Sequence, residues 1–396
     1  MYKKALASLT TLFFMMGFIT CLNDILIPYL KEIFKLDYGK AALVQFCFFG
    51  AYGLTSIPAC KIIERIGYQR GMVLGFAITA FGCLLFFPAV SLHSYNLFLL
   101  ALFVLASGIV LLQVAANPYV AVIGPKESAS SRLTMVQAFN SFGTFLAPFF
   151  GSYFILRDLS KATDTAAVRY PYLFIAGVLI VVAFTLSRMK LPVIERPLTG
   201  SGSWGKVLKD KSLLLGIFGI FSYVGAEVAI GSFLVNYVIG LMPMPETEAA
   251  NLVALYWGGA MVGRFLGIFT LKEFSPGKVL SVHAMLAIAL ILISINSRGI
   301  MSVYSMVLVG LCNSIMFPTI FTLGIKNLGP GEEQKGSGIL ATAILGGALI
   351  PVMTGELADK MGFRVAFLLP VICYAYIAIL GLKNSAVKVL STEKIH

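Results

Sequence analysis

Residues 5–30 read ALASLTTLFFMMGFITCLNDILIPYL, and this stretch decides the class of the protein. It is long enough to cross a bilayer core, which takes roughly 20 helical residues at about 1.5 Å each. Asn23 and Asp24 lie well inside it, although a carboxylate in hydrocarbon costs on the order of 2.5–3.5 kcal/mol. Such a group is tolerated where it faces a protein interior or a wet cavity. We therefore predict that Asp24 serves transport of an ion or solute; the alternative is a hydrogen bond to a neighbouring helix.

The composition of the whole chain is that of an integral membrane protein. Of its 396 residues 58% are hydrophobic and only 12% are charged, whereas soluble domains carry about 25% charged residues. The net charge of +12 comes from short Lys and Arg clusters between apolar runs, as the positive-inside rule requires, and it does not indicate nucleic acid. The six cysteines form no CxxC pair, so neither a zinc site nor a disulfide framework is predicted.

Eleven further apolar runs follow the first, which predicts an all-α membrane protein with twelve transmembrane helices. The predicted spans are 6–33, 40–62, 70–91, 95–122, 131–156, 170–189, 213–240, 248–270, 278–296, 300–325, 336–357 and 363–383. The polar connection 190–212 is a cytoplasmic central loop between a six-helix bundle at 1–189 and a second at 213–396, which ends in a short tail. With the N-terminus inside, 20 of the 30 Lys and Arg residues lie in inner segments and 9 in outer ones, which predicts two cytoplasmic termini.

The two halves repeat a pattern of helix breaks. Residues 113–118 read QVAANP and residues 313–318 read NSIMFP, so that an amide lies five residues before a proline in both. A Gly-Pro pair, at 124–125 and at 329–330, opens the next connection in each half. Matching breaks of this kind indicate two six-helix repeats with a binding site near the midplane.

Two carboxylates occupy equivalent helices of these repeats, Asp24 in span 1 and Glu227 in span 7. Each can carry a proton or coordinate a cation, as coupled transport requires. The alternative for Glu227 is an interhelical hydrogen bond.

Amides deep in the spans favour a neutral polyol as substrate, because Asn and Gln offer both donors and acceptors without adding charge. The predicted substrate-binding residues are Asn23, Gln113, Asn117, Gln137, Asn140, Asn236, Trp257 and Asn313. Trp257, with Tyr256, can stack on a sugar ring or anchor the helix at the interface. The alternative for the amides is contact between helices, worth about 0.6 kcal/mol each.

Charged loops after spans 2 and 11 are predicted to control conformation. Residues 64–70 read ERIGYQR and residues 355–364 read GELADKMGFR. In each, an acid at a helix end and a base beyond a glycine turn can form an ion pair that locks one state; the alternative is that these charges only set topology. The predicted gating residues are Glu64, Arg65, Arg70, Arg264, Asp359 and Arg364.

These loops resemble the signature of the major facilitator superfamily, although Cys60 stands where glycine is usual. More narrowly, the chain resembles the fucose/glucose/galactose–proton symporter family over nearly its whole length. The residues that carry this resemblance are LNDIL at 22–26, QVAANP at 113–118, QAFNSFG at 137–143, YVGAEVAIGSF at 223–233 and YWGGAMVGR at 256–264.

The resemblance implies monosaccharide uptake driven by a cation gradient, with Asp24 as a proton-coupling acid and Gln137 and Asn140 in contact with sugar. The fucose members carry a second coupling acid where this chain has Gln113, and they tend to have Gln where it has Glu227. The departure favours glucose, galactose or N-acetylglucosamine over fucose. It leaves three couplings open: a proton through Asp24 alone, a proton through both acids, or Na⁺.

No phosphate-cradling GxxxxGK[ST], HExxH or Ser-His-Asp pattern is present in the sequence, so neither ATP drive nor catalysis is predicted. We expect a monomeric sugar symporter that works by alternating access in the bacterial inner membrane, needs no cofactor beyond its coupling ion, and has sugar and lipid as its partners. An exporter of drugs or metabolites and a sugar receptor that does not transport are the alternatives.

Overall fold

The computed structural model describes residues 2–33, 38–151, 166–192, 194, 204–242 and 244–385. Side chains are described in these ranges except at 2–5, 22–33, 38–45, 148, 151, 166–169, 246, 247 and 250. The α-helices are α1 (Tyr2–Ile33), α2 (Tyr38–Ile66), α3 (Tyr68–Ser91), α4 (Tyr95–Val122), α5 (Ala129–Gly151), α6 (Ala166–Arg188), α7 (Trp204–Val207), α8 (Lys211–Leu241), α9 (Glu246–Glu273), α10 (Pro276–Asn296), α11 (Gly299–Asn313), α12 (Met316–Ile325), α13 (Glu333–Thr342), α14 (Gly346–Met361), α15 (Phe363–Ala366) and α16 (Leu368–Lys383). The prediction of an all-helical chain is confirmed for these residues.

Ten segments within the described residues are long and apolar enough to cross a membrane, and a shorter apolar helix covers Leu6–Cys21. The chain is therefore a multi-pass membrane protein. The count of twelve spans and the cytoplasmic termini stay predictions.

Local sequence signals set several helix ends. The Ser94 hydroxyl caps α4 by accepting from the Leu97 amide at 3.4 Å, and the Asp210 carboxylate caps α8 by accepting from the Leu213 amide at 2.8 Å. The tight turns predicted after spans 2 and 11 are present at Gly67 and Gly362, with φ of 91° and 81°. Glycine adopts this left-handed region without the steric cost that other residues meet.

The last three predicted spans, 300–325, 336–357 and 363–383, are each interrupted in the structure. Pro318 has no N–H and cannot bond the Ser314 carbonyl, and the break between α11 and α12 lies at that carbonyl. Pro370 likewise cannot bond the Ala366 carbonyl, where α15 gives way to α16. A 3₁₀ turn at Ala343–Leu345 separates α13 from α14.

The chain forms two compact units. Unit 1 comprises 1–123, 139–202 and 329–342. Within it α3 packs on α4 and α6, and α2 packs on α4. Close packing of α3 and α4 needs glycine, because a Cβ on Gly108 would lie 2.5 Å from the Thr79 nitrogen and one on Gly82 would lie 2.6 Å from the Leu105 Cα.

Unit 2 comprises 124–138, 203–328 and 343–396. Within it α8 packs on α12, α14 and α16, and α10 packs on α11 and α16. The first turns of α5 belong to this unit, where Ser130 hydrogen-bonds Thr322 at 2.6 Å and the Ser131 hydroxyl donates to the Ile268 carbonyl at 2.9 Å. The predicted division at the central loop stays a prediction; each unit contains one short segment from the opposite side of that loop.

Candidate functional site

Asn23 and Asp24 lie in α1, but their side chains fall outside the described residues. The predicted coupling role of Asp24 and the predicted sugar contact of Asn23 stay predictions.

Glu227 lies in the middle of α8, inside unit 2, and is only 8% exposed. One helix turn earlier on the same face, the Tyr223 hydroxyl donates to Glu227 Oε1 at 2.6 Å. The Tyr256 hydroxyl of α9 donates to the Glu227 backbone carbonyl at 3.1 Å. The carboxylate is thus oriented by a residue of its own helix, and the backbone of the same residue is bonded by the next helix.

Asn313 extends this network from the end of α11. Its Nδ2 donates to the Tyr256 hydroxyl at 2.7 Å, and its Oδ1 accepts from the Tyr374 hydroxyl at 2.6 Å. Because the Tyr256 hydroxyl donates its hydrogen to the bond with the Glu227 carbonyl, its oxygen is left to accept from Asn313. Asn313 is fully buried, and both ends of its amide are engaged within the protein.

Arg264 of α9 bonds the backbone carbonyl that Pro318 leaves without a helical hydrogen bond. Its Nε donates to the Ser314 oxygen at 3.1 Å, which is the acceptor that a residue other than proline would have bonded. The guanidinium also lies close enough to interact electrostatically with Glu227. Of the predicted residues, the structure therefore brings Glu227, Arg264 and Asn313 together in unit 2.

Trp257 borders this cluster without joining its hydrogen bonds, and Asn236 lies more than two helix turns beyond Glu227 on α8. The Trp257 ring meets the Tyr256 ring edge-on at 5.2 Å between centroids, and it lies so close to α8 that a Cβ on Gly231 would come within 2.8 Å of it. Trp257 is 39% exposed and Asn236 is exposed, so both can meet a ligand or lipid.

Unit 1 holds the polar residues of α4. Gln113 Nε2 donates to the Tyr52 hydroxyl at 2.9 Å. Asn117 is 2% exposed, and its Oδ1 has no hydrogen-bond partner among the residues that the structure describes. Pro118 frees the Val114 carbonyl, as Pro318 does for Ser314, and the Ser337 hydroxyl of α13 donates to it at 3.1 Å. The helix break predicted at Pro118 is wrong, because α4 stays continuous through it, but both prolines leave a carbonyl that a side chain from another helix satisfies.

The two amides of α5 divide between the units. Asn140, in unit 1, donates from Nδ2 to the Phe13 carbonyl of α1 at 3.0 Å. The helices approach closely here, since a Cβ on Gly17 would lie 1.9 Å from the Asn140 carbonyl oxygen. Gln137, in unit 2, is buried.

The predicted gating acid Glu64 pairs with a residue that the sequence did not single out. Lys335 Nζ of α13 lies 3.5 Å from Glu64 Oε1 within unit 1, with 2% and 19% of the two side chains exposed. Arg65, Arg70 and Asp359 are exposed. The remaining loop base, Arg364, donates to the Ser297 carbonyl at 3.5 Å.

Sequence reasoning named Tyr256 only as a ring that could stack on sugar, and it missed Tyr223, Tyr374 and Lys335, which complete these contacts. Tyr223 could have been found, because it lies one helix turn before Glu227. Tyr374 carried no such signal, since a tyrosine in an apolar span is also typical of a packed ring. Lys335 was considered only as one of the Lys and Arg residues of the inner segments that indicate membrane orientation.

Chemically, the Glu227 carboxylate of unit 2 can gain or lose a proton beside the Arg264 guanidinium. The hydroxyl of Tyr223 holds the carboxylate in position. Among the described residues there is no group of three or more His, Cys, Asp or Glu side chains suited to a metal ion.

Comparison with known proteins places the chain in a family. The model of the major facilitator superfamily matches residues 7–349. A glucose/galactose transporter of Brucella abortus is 51% identical over 391 residues, covering 97% of this chain and 95% of that protein. The L-fucose-proton symporter of Escherichia coli K12 is 34% identical, covering 96% of this chain and 92% of that protein. A crystal structure of the transporter FucP in the outward conformation aligns with a TM-score of 0.89 at 33% identity, over 97% of this chain and 99% of that one. The chain therefore belongs to the major facilitator superfamily.

Proposed function

We propose that this protein is a secondary active transporter that imports a hexose of the glucose/galactose type together with H⁺ by alternating access. The observation that carries the proposal is the 51% identity, over nearly the full length of both chains, to a protein named as a glucose/galactose transporter. The similarity to L-fucose-proton symporters supports a proton as the coupling ion.

The contacts around Glu227 support a coupling role for that residue. A buried carboxylate is costly in its charged form unless it is paired and hydrogen-bonded. Tyr223 and the nearby Arg264 stabilise that form, so gain and loss of a proton can both be accommodated. Asp24 is proposed as the second acid on the strength of its place in span 1. The exposed Trp257 ring is proposed to stack on the sugar.

The Glu64–Lys335 pair and the Ser337–Val114 bond are proposed to be conformational contacts, because alternating access requires contacts between helices to open and close. Twelve spans, cytoplasmic termini, a bacterial inner-membrane location and a monomeric state belong to the same proposal, and the positive-inside bias of the loops supports the orientation.

Uptake of labelled glucose and galactose into proteoliposomes, with H⁺ and Na⁺ gradients imposed separately, tests this function. We expect accumulation with the proton gradient alone. Asp24→Asn and Glu227→Gln should each reduce accumulation by at least about tenfold, the cost of losing one charge-assisted interaction. Glu248→Gln, an exposed acid on α9, is the matched control. Accumulation that requires Na⁺ would refute proton coupling and keep the sugar class, and failure of both gradients with both sugars would refute the function.

L-fucose is the second candidate substrate, since the curated fucose symporter covers nearly the whole chain. Competition by unlabelled L-fucose against labelled glucose, in the same vesicles, separates the two. If unlabelled L-fucose inhibits glucose uptake more strongly than unlabelled galactose does, L-fucose replaces galactose as the preferred substrate.

A further inference from the structure

A cavity of about 470 Å³ lies in unit 1, where α2 ends, α3 begins and the chain leaves α6. Its size falls within the roughly 300–1,000 Å³ of typical small-molecule sites. The exposed Arg65 and Arg70 contribute its charge, and Tyr68, Leu191 and Pro192 contribute apolar surface. No Asp or Glu occurs among the described residues that line it.

Hydrogen bonds hold the walls of this cavity in place. The Gln69 amide nitrogen donates to the carbonyls of Leu186 and Met189, at 2.8 and 2.6 Å, which ties the start of α3 to the end of α6. The Tyr119 hydroxyl donates to the Pro192 carbonyl at 3.0 Å and so fixes the chain that follows α6. A cavity formed in advance spares a ligand the cost of ordering these segments.

The charge in the cavity selects the class of ligand. Arginine is always cationic, and its planar fork of donors fits phosphate oxygens in a bidentate manner. The positive-inside rule accounts for two arginines in this loop, but it does not account for a cavity with fixed walls beside them. The apolar wall at Leu191 and Pro192 suits the organic part of a phosphate ester.

We propose that this cavity binds a phosphate-bearing ligand, supplied either by a phospholipid headgroup or by a soluble phosphomonoester. Through Arg65 and Arg70 the ligand would join the α2–α3 turn to Leu191, Pro192 and Ile194, near the start of the predicted central loop. The proposal does not depend on what the protein transports, and its test measures binding alone.

The test uses the full-length protein in nanodiscs. One arm compares phosphatidylcholine discs with discs that also contain phosphatidylglycerol, and native mass spectrometry counts the phosphatidylglycerol retained. The other arm titrates glycerol 3-phosphate into phosphatidylcholine discs and follows the thermal shift, with glycerol as the blank. The variant is R65Q/R70Q. The control K209Q/K278Q removes two exposed lysines of unit 2 and so makes the same change in net charge.

We expect wild type and K209Q/K278Q to bind one of the two probes, and R65Q/R70Q to bind it about 100-fold more weakly, or about tenfold for each arginine. Retention of phosphatidylglycerol alone identifies a lipid headgroup, and a shift with glycerol 3-phosphate alone identifies a soluble ester. If R65Q/R70Q does not fold, R65K/R70K replaces it; this variant keeps the charge, loses the fork and should bind more weakly than wild type. Equal binding by wild type and the arginine variants, equal loss in K209Q/K278Q, or binding of neither probe would overturn the proposal.

Discussion

The Glu64–Lys335 pair offers a measurable test of how the α13 segment is held. The charged atoms are 3.5 Å apart, and at an effective dielectric constant near 20 their attraction is about 5 kcal/mol before desolvation is subtracted. Lys335 has almost no access to water, whereas Glu64 keeps 19% of its side-chain surface exposed. Removal of one partner therefore has unequal consequences for the two residues.

Glu64→Gln leaves a buried ammonium without its charge partner, which costs about 3–5 kcal/mol in such pairs. Lys335→Met leaves a carboxylate that can hydrate through its exposed side, so we expect a smaller cost of about 1–2 kcal/mol. The double variant E64Q/K335M carries no uncompensated charge and should recover most of the loss.

Hydrogen exchange in the peptide spanning 329–342, read by mass spectrometry in one detergent, measures these differences. A cost of about 3 kcal/mol corresponds to exchange faster by on the order of 100-fold in E64Q. E248Q serves as the charge control. Exchange in E64Q within about threefold of wild type, or a double variant as destabilised as the sum of the single ones, would refute the assignment of this pair as a stabilising contact.

Two further predictions concern the helices themselves. Ser337→Ala should lower the unfolding midpoint by the equivalent of about 1–3 kcal/mol, because it leaves the buried Val114 carbonyl unsatisfied. Adding Pro118→Ala to this variant restores a backbone N–H that can bond the same carbonyl within the helix, so it should recover most of the lost stability. If stability does not recover, another group satisfies the carbonyl. Gly108→Ala should destabilise by about 1–3 kcal/mol through a clash with backbone, whereas Gly177→Ala, which meets nothing within 4 Å, should be neutral or stabilising by about 0.4–1 kcal/mol in the same thermal scan.

Much of the helical architecture could be predicted from hydropathy and capping alone. The predicted span 95–122 coincides with α4, bounded by Ser94, whose hydroxyl supplies the cap. The span predicted at 300–325 agrees with the apolar segment Gly299–Ile325, and Pro318, recognised as a break signal in its repeat, lies four residues after the carbonyl at which that segment divides. The break near Phe367 follows from Pro370, which lies inside the predicted span 363–383. Hydropathy is averaged over a window of residues. It therefore indicates that a segment can span the membrane, but it does not show where the missing N–H of a proline divides the helix.

The site was predictable in its residue types but not in its pairings. Glu227 and Asn313 were identified because polar groups deep in apolar spans are costly and so need partners. Their partners lie far along the chain: Tyr374 is 61 residues from Asn313, and Tyr256 is 29 residues from Glu227. A single sequence constrains neighbours at helical spacing, and it says little about contacts that depend on which helices pack together.

The internal repeat predicts the same chemistry in both halves, yet the two freed carbonyls differ in how firmly they are bound. Ser337 gives the Val114 oxygen a neutral hydrogen bond, worth about 0.5–1.5 kcal/mol, whereas Arg264 gives the Ser314 oxygen a charged one, worth about 1.5–3 kcal/mol. Ser337 also lies on a segment that belongs by sequence to the second half and by packing to unit 1. In the proposed transport cycle, release of the Val114 carbonyl by movement of this segment would therefore cost less free energy than release of the Ser314 carbonyl from Arg264.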